Sequence, residues 1–221
     1  KAAITVEDLD DTSTETEVDY IKLTIDATED EEFGGALANV GDLNGDGHDD
    51  LVIADVDYWV TDAGEYQQGK IFGYYGNDTA LSTTADWTIA ASSGHTYADF
   101  GQSVSGAGDV NGDGYDDFVV GAPADGEYQG GMVYGYYGSA TGPDVTTASW
   151  EVTATEYDDG TIGQFGYVVA GLGDINGDRY DDVGVYDGEV SDTSDSDTSR
   201  LLVYLGSSTG LATTASWQFD A

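Results

Sequence analysis

Asp42, Asn44, Asp46 and Asp50 set four oxygen-bearing side chains at positions 1, 3, 5 and 9 of one short loop, "DLNGDGHDD". Alternate side chains of a tight loop converge, and these carry only hard oxygens. Such a set wraps a hard cation, with a main-chain carbonyl at position 7, here that of His48. Gly47 at position 6 allows the sharp turn. Oxygen donors favour calcium over zinc. Magnesium fits less well, because it keeps its own water and takes few protein ligands. The spacing returns as Asp109, Asn111, Asp113, Tyr115 and Asp117, and again as Asp174, Asn176, Asp178, Tyr180 and Asp182. Two or three structural calcium ions are expected. An Asp/Asn/Gly turn without metal would use the same residue types, but a turn alone has no need to keep ligand spacing three times.

The third loop departs from the other two. Arg179 stands where Gly47 and Gly114 stand. It is expected at positive φ, where a side chain is strained, and it adds a positive charge. Its site should be the weakest. Position 12 is Ile53, Val120 or Val185, so this is not a helical calcium hand, which needs glutamate there. Asp49, Asp116 and Asp181, at position 8, are expected to point away or to hold the loop by hydrogen bonds.

The elements that position these loops repeat with them, at a period of about 65 residues. Each copy opens on Phe-Gly (Phe33-Gly34, Phe100-Gly101, Phe165-Gly166) and reaches its loop through an apolar stretch ending in Gly-Asp. A β-rich run follows ("LVIA", "FVVGAP", "VGVY"), then a Tyr-rich run ("KIFGYYG", "GMVYGYYG", "LLVYLG"), then "ADWTIAA", "ASWEVTA" or "ASWQFDA". Val, Ile, Tyr, Phe and Trp between Gly, Asp, Asn and Ser turns make four short strands per copy. The fold class is therefore all-β, with four-stranded β-propeller-type blades in tandem; a sandwich or barrel of twelve strands is the alternative. "AAITV" and "DYIKLTIDA" make residues 1–32 an N-terminal half blade, before blades at 33–91, 92–154 and 155–221. Trp87, Trp150 and Trp217 stand at equivalent positions and should pack blade on blade. In paired tyrosines such as Tyr74/Tyr75 the two rings face opposite sides of the strand, so one of each pair should be exposed.

Phe-Gly, then "GDVNGDGYDD", then "VVGAP" at 119 to 123 resemble the FG-GAP repeat family, the calcium-binding blades of integrin α-subunit propellers and of many microbial surface proteins. The resemblance runs over roughly residues 33 to 221 and is fullest in the second copy. It implies structural calcium at the three loops, in the connection between the first two strands of each blade. Two features depart from the family: its propellers usually close with about seven blades, and the first and third copies lack Gly-Ala-Pro.

Composition narrows the setting. The formal charge is −39, from 44 acidic residues against 5 basic ones, and there is no cysteine. Such self-repulsion is tolerable in molar salt, where the Debye length is about 3 Å, so the composition points to a high-salt organism. Nucleic acid is excluded as a partner, since little here could neutralise phosphates, and no apolar run is long enough to span a membrane. A chain that begins at Lys1 is expected to be processed or cut from a longer one. Catalytic groups are lacking. His48 belongs to a loop and His95 has no partner in sequence, and no Gly-x-Ser-x-Gly elbow occurs. Asn77-Asp78-Thr79 would accept an N-linked glycan on an exported chain.

The reading that follows is a calcium-stabilised extracellular or cell-surface structural and adhesion module, not an enzyme. It would assemble with further copies, or lie in a larger chain of the same repeats, through strand exchange into an oligomer or surface filament. The alternatives are a carbohydrate- or protein-binding (lectin or adhesin) part of a larger propeller, with a glycan or cell-surface protein as ligand, and, less favoured, a polysaccharide-acting enzyme.

Overall fold

Where each acidic loop gives way to Val, Ile and Phe, the chain enters the second strand of an antiparallel sheet. A computed structural model describes residues 33–60, 66–78, 81–82, 84–91, 98–126, 130–154, 162–190 and 199–220, and among these all regular structure is β. The N-terminal half blade, His95 and residues 191–198 lie outside the described residues.

The first sheet runs β1 (Phe33–Gly41), β2 (Asp50–Asp55), β5 (Lys70–Tyr74) and β6 (Trp87–Ala90), in that spatial order. A small hairpin, β3 (Trp59–Val60) with β4 (Tyr66–Gln67), extends the link from β2 to β5. The second sheet repeats the meander with β7 (Ser103–Gly108), β8 (Asp117–Ala122), β9 (Met132–Tyr136) and β10 (Trp150–Thr153). The third uses β12 (Val169–Gly173), β13 (Asp182–Val190), β14 (Ser199–Tyr204) and β15 (Trp217–Asp220), with β11 (Ile162–Gly163) paired to the far end of β13. Register repeats as well: Leu37 opposes Ile53, Val104 opposes Val120, and Val169 opposes Val185. These three four-stranded sheets are propeller-type blades. Their first strands stand side by side, β1 next to β7 and β7 next to β12.

Each first strand ends in a register shift at a glycine of positive φ: Gly41 (73°), Gly108 (69°) and Gly173 (69°). A bulge of this kind, which glycine adopts at little cost, swings the chain out of the ladder and into the acidic loop.

The core lies between blades rather than within one. Val40, Leu43, Val52, Ile71 and Ile89 of the first blade pack with Phe118 and Val120 of the second. Val110, Val119, Val133 and Trp150 of the second pack with Val183 and Val185 of the third. Every residue of β8 is buried, since a blade lies against each of its faces. Trp87 stacks on Phe118 at 5.6 Å, and Trp150 meets Tyr204 edge-on at 5.2 Å, contacts worth about 0.5–1.5 kcal/mol each beyond their buried area. The equivalent Trp217 is 41% exposed on the far side of the third blade.

Candidate functional site

In the first loop the side chains at positions 1, 3 and 5 turn inward onto the loop's own amides. Asp42 accepts hydrogen bonds from the Asp46 and Gly47 N–H groups (3.0 and 2.8 Å). Asn44 Oδ1 accepts from Asp46 N–H at 2.9 Å, and Asp46 Oδ1 from His48 N–H at 3.0 Å. The second loop repeats this with Asp109, Asn111 and Asp113, the last accepting from Tyr115 N–H at 3.0 Å. The third repeats it with Asp174, Asn176 and Asp178, the last accepting from Tyr180 N–H at 3.0 Å. Arg179 takes the glycine's place at φ 80°, against 92° for Gly47 and Gly114, and its N–H donates to Asp174 at 2.8 Å. The predicted strain is present, and the loop keeps its shape.

The aspartate at position 9 lies beneath each loop and is buried: Asp50, Asp117 and Asp182 are 2%, 1% and 0% exposed. Its two oxygens tie the start of the loop to the end of the third strand. Asp50 accepts from Leu43 and Gly76 N–H, both at 2.9 Å. Asp117 accepts from Val110 and Gly138, and Asp182 from Ile175 and Gly206. Burial pushes the Asp50 carboxyl up to about 6 and the Asp117 carboxyl to about 8. The two main-chain donors pull each down, and the position-1 and position-5 carboxylates push it up again.

Among the described residues no three His, Asp or Glu side chains stand together at ligating geometry. The loop oxygens face amides instead. The donor set nevertheless suits a hard dication: four oxygen side chains per loop, one of them a buried carboxylate, whose ionisation in the first two loops is opposed by burial and by its acidic neighbours. A dication placed among them would reverse that opposition.

The position-8 aspartates reach out of their own blade. Asp116 accepts a hydrogen bond from Asp42 N–H (2.7 Å), and Asp181 one from Asp109 N–H (3.0 Å), so each blade caps the loop of the blade before it. The Tyr115 ring covers Gly45 and the Tyr180 ring covers Gly112. In the first blade the corresponding Asp49 accepts from the Asn39 amide (2.9 Å), and the His48 ring stands 3.5 Å from Asp78. Paired tyrosines also bridge blades. Tyr74 and Tyr136 are buried, while the Tyr137 hydroxyl accepts from Leu211 N–H of the third blade (2.8 Å). Sequence reasoning expected one exposed tyrosine in each pair; the second is instead taken up by the neighbouring blade. The signals that marked these bridges were an aspartate kept at position 8 and a glycine kept at position 4.

Comparison with known proteins agrees with this geometry. Residues 100–136 match the FG-GAP repeat model. The chain is 35% identical over 161 residues to integrin alpha-PS2 of Drosophila melanogaster, covering 70% of this chain and 11% of that protein. It is 35% identical over 182 residues to integrin alpha-6 of Gallus gallus (77% of this chain, 15% of that protein) and 34% over 171 residues to the Homo sapiens integrin alpha-6 (77% and 14%). The chain thus spans a small part of the length of these relatives. Its second blade carries an FG-GAP repeat, and over most of its length the chain is similar to a segment of integrin alpha proteins.

Proposed function

We propose that the chain is a calcium-stabilised, non-enzymatic module of adhesion type that acts outside the cell or at its surface and engages protein partners, including further blades of its own kind. The observation that carries this reading is the buried aspartate at position 9, which ties each oxygen-rich loop to the third strand. Calcium would be held by Asp42, Asn44, Asp46, Asp50 and the His48 carbonyl; by Asp109, Asn111, Asp113, Asp117 and the Tyr115 carbonyl; and by Asp174, Asn176, Asp178, Asp182 and the Tyr180 carbonyl. Its contribution is charge neutralisation that locks the first two strands of a blade to the third. Similarity to integrin alpha proteins supports the adhesion reading. The charge of −39 supports a saline setting, where repulsion is screened.

Calorimetric titration of calcium into chelated protein in molar salt tests this. Two or three ions are expected, with Asp50→Asn and Asp117→Asn each removing one. Saturation at about a hundredfold excess over Kd would add about 2.7 kcal/mol per site. The absence of both binding heat and a stability change on chelation would sink the calcium reading. Asn77, exposed in the turn after β5, is a proposed glycan acceptor; mass spectrometry of the exported protein decides it.

A further inference from the structure

The two junctions inside the chain, first blade to second and second to third, follow one plan and are closed unequally. They share the aspartate cap, Asp116 on the Asp42 N–H and Asp181 on the Asp109 N–H. They share the main-chain bonds from Ser139 N–H to Leu43 O and from Ser207 N–H to Val110 O. Each buries an apolar cluster of its own. The stack of Trp87 on Phe118 and the edge contact of Trp150 with Tyr204 are of the same order of strength. Apolar packing and the loop caps therefore do not set the two junctions apart.

Hydrogen bonds do. Val169 N–H donates to Ser103 Oγ (2.7 Å) and Gly171 N–H to Ser105 Oγ (3.1 Å), which ties the innermost strands β7 and β12 together. Leu211 N–H donates to the Tyr137 hydroxyl (2.8 Å), and the Trp150 indole N–H to Ala212 O (3.0 Å). Among the described residues none of these four has a counterpart at the first junction. By register, Ala36 and Ala38 stand there in place of Ser103 and Ser105, and neither has a side-chain acceptor. Tyr75 lies against Gly142 as Tyr137 lies against Gly210, but the residue after Gly142 is Pro143, which has no N–H to give. The Trp87 indole N–H is buried and faces the Tyr75 hydroxyl of its own blade without closing a hydrogen bond. Against these losses the first junction has one bond that the second lacks among the described residues, from Phe100 N–H to Gln68 O (3.2 Å).

We propose that the junction between the first and second blades is the joint at which this chain opens, while the second and third blades stay together. Opening there frees the Asp42 N–H of its Asp116 cap, lifts the Tyr115 ring off Gly45 and uncovers Phe118 beneath Trp87. The core lies between blades, so a blade that parts from its neighbour keeps little of it, and its strands open with it. One net hydrogen bond is worth about fivefold in an equilibrium constant, so a difference of three bonds makes the first joint open about a hundredfold more often than the second. The proposal rests on blade geometry alone and stands whether or not the loops hold calcium.

The test is native-state hydrogen exchange of the whole chain, read by mass spectrometry in molar salt with saturating calcium. Amides of β2 and β5 should exchange about a hundredfold faster than those of β13 and β14, and the latter should share the slow rate of β8. The third loop, with Arg179, is the weaker calcium site, so bound calcium works against this order and cannot produce it. Ser103→Ala with Ser105→Ala removes two bonds of the second junction and should speed β13 and β14 about 25-fold while leaving β2 and β5 unchanged. Tyr137→Phe removes a different bond of the same junction and should act in the same direction, about fivefold. A third blade that exchanges as fast as the first, or a single rate for the whole chain, overturns the proposal. So does unchanged exchange of β13 and β14 in both the serine and the tyrosine variants, since the bonds named here would then not hold the second junction shut.

Discussion

Gly108→Ala should destabilise this protein far more than Gly173→Ala, although both glycines open an equivalent loop at φ 69°. An alanine at such a φ costs about 1–2 kcal/mol wherever it stands. At Gly108 the new methyl would also fall on the Asp181 carboxylate, which caps the Asp109 N–H at 3.0 Å. Pushing that carboxylate aside loses a charge-assisted hydrogen bond, about 1.5–3 kcal/mol. The expected cost is about 3–5 kcal/mol at Gly108 and about 1–2 at Gly173, where no atom lies within 4 Å. Gly41→Ala, opposite Asp116, should match Gly108. For a chain of this size the gap corresponds to roughly 5–10 °C in Tm. The assay is urea unfolding in saturating calcium and salt, at protein concentrations low enough to keep the chain monomeric. A Gly108→Ala/Asp181→Ala double mutant should show strong coupling, because the first change already undoes what the second removes. Equal costs at Gly108 and Gly173 would refute the claim that the aspartate contact holds successive blades together.

In chelator, stability should fall as pH rises from about 4 to 8. Asp50 and Asp117 titrate in the folded state near 6 and 8, above the ordinary 3.8, so the folded protein holds more protons and loses that advantage as they leave. The loss is on the order of a few kcal/mol, most of it from Asp117, because solvent screens the Asp50 carboxyl more. Asp117→Asn should remove most of the slope, and an unchanged slope would contradict its burial as the cause. Arg179→Gly relieves a side chain at φ 80° and should stabilise the protein by up to about 1 kcal/mol while tightening calcium at the third loop; equal affinities before and after would remove the arginine as the reason for a weak site. Tyr137→Phe leaves the Leu211 N–H without its acceptor and should cost about 1–3 kcal/mol in urea unfolding; a neutral change would show that this bridge carries no stability.

Within one repeat, the sequence by itself determined nearly everything. The oxygens of a loop lie within nine residues, their spacing is local, and the change from acidic loop to apolar strand fixes where β2, β8 and β13 begin. A glycine replaced by Arg179 announces its positive φ before any coordinates exist, because the loop's hydrogen bonds require that conformation of whatever residue stands there. Position 9 is buried because the strand it opens is apolar. Only the tertiary structure decided how repeats meet. Asp116 and Asp181 reach amides 74 and 72 residues earlier in the chain, and Tyr137 reaches 74 residues ahead. Those contacts follow from how one blade is set against the next, a relation that no local spacing encodes. The same setting decides which tryptophan is buried. Trp150 and Trp217 read alike in sequence, yet the first is 5% exposed, packed on Tyr204 of the third blade, and the second 41%.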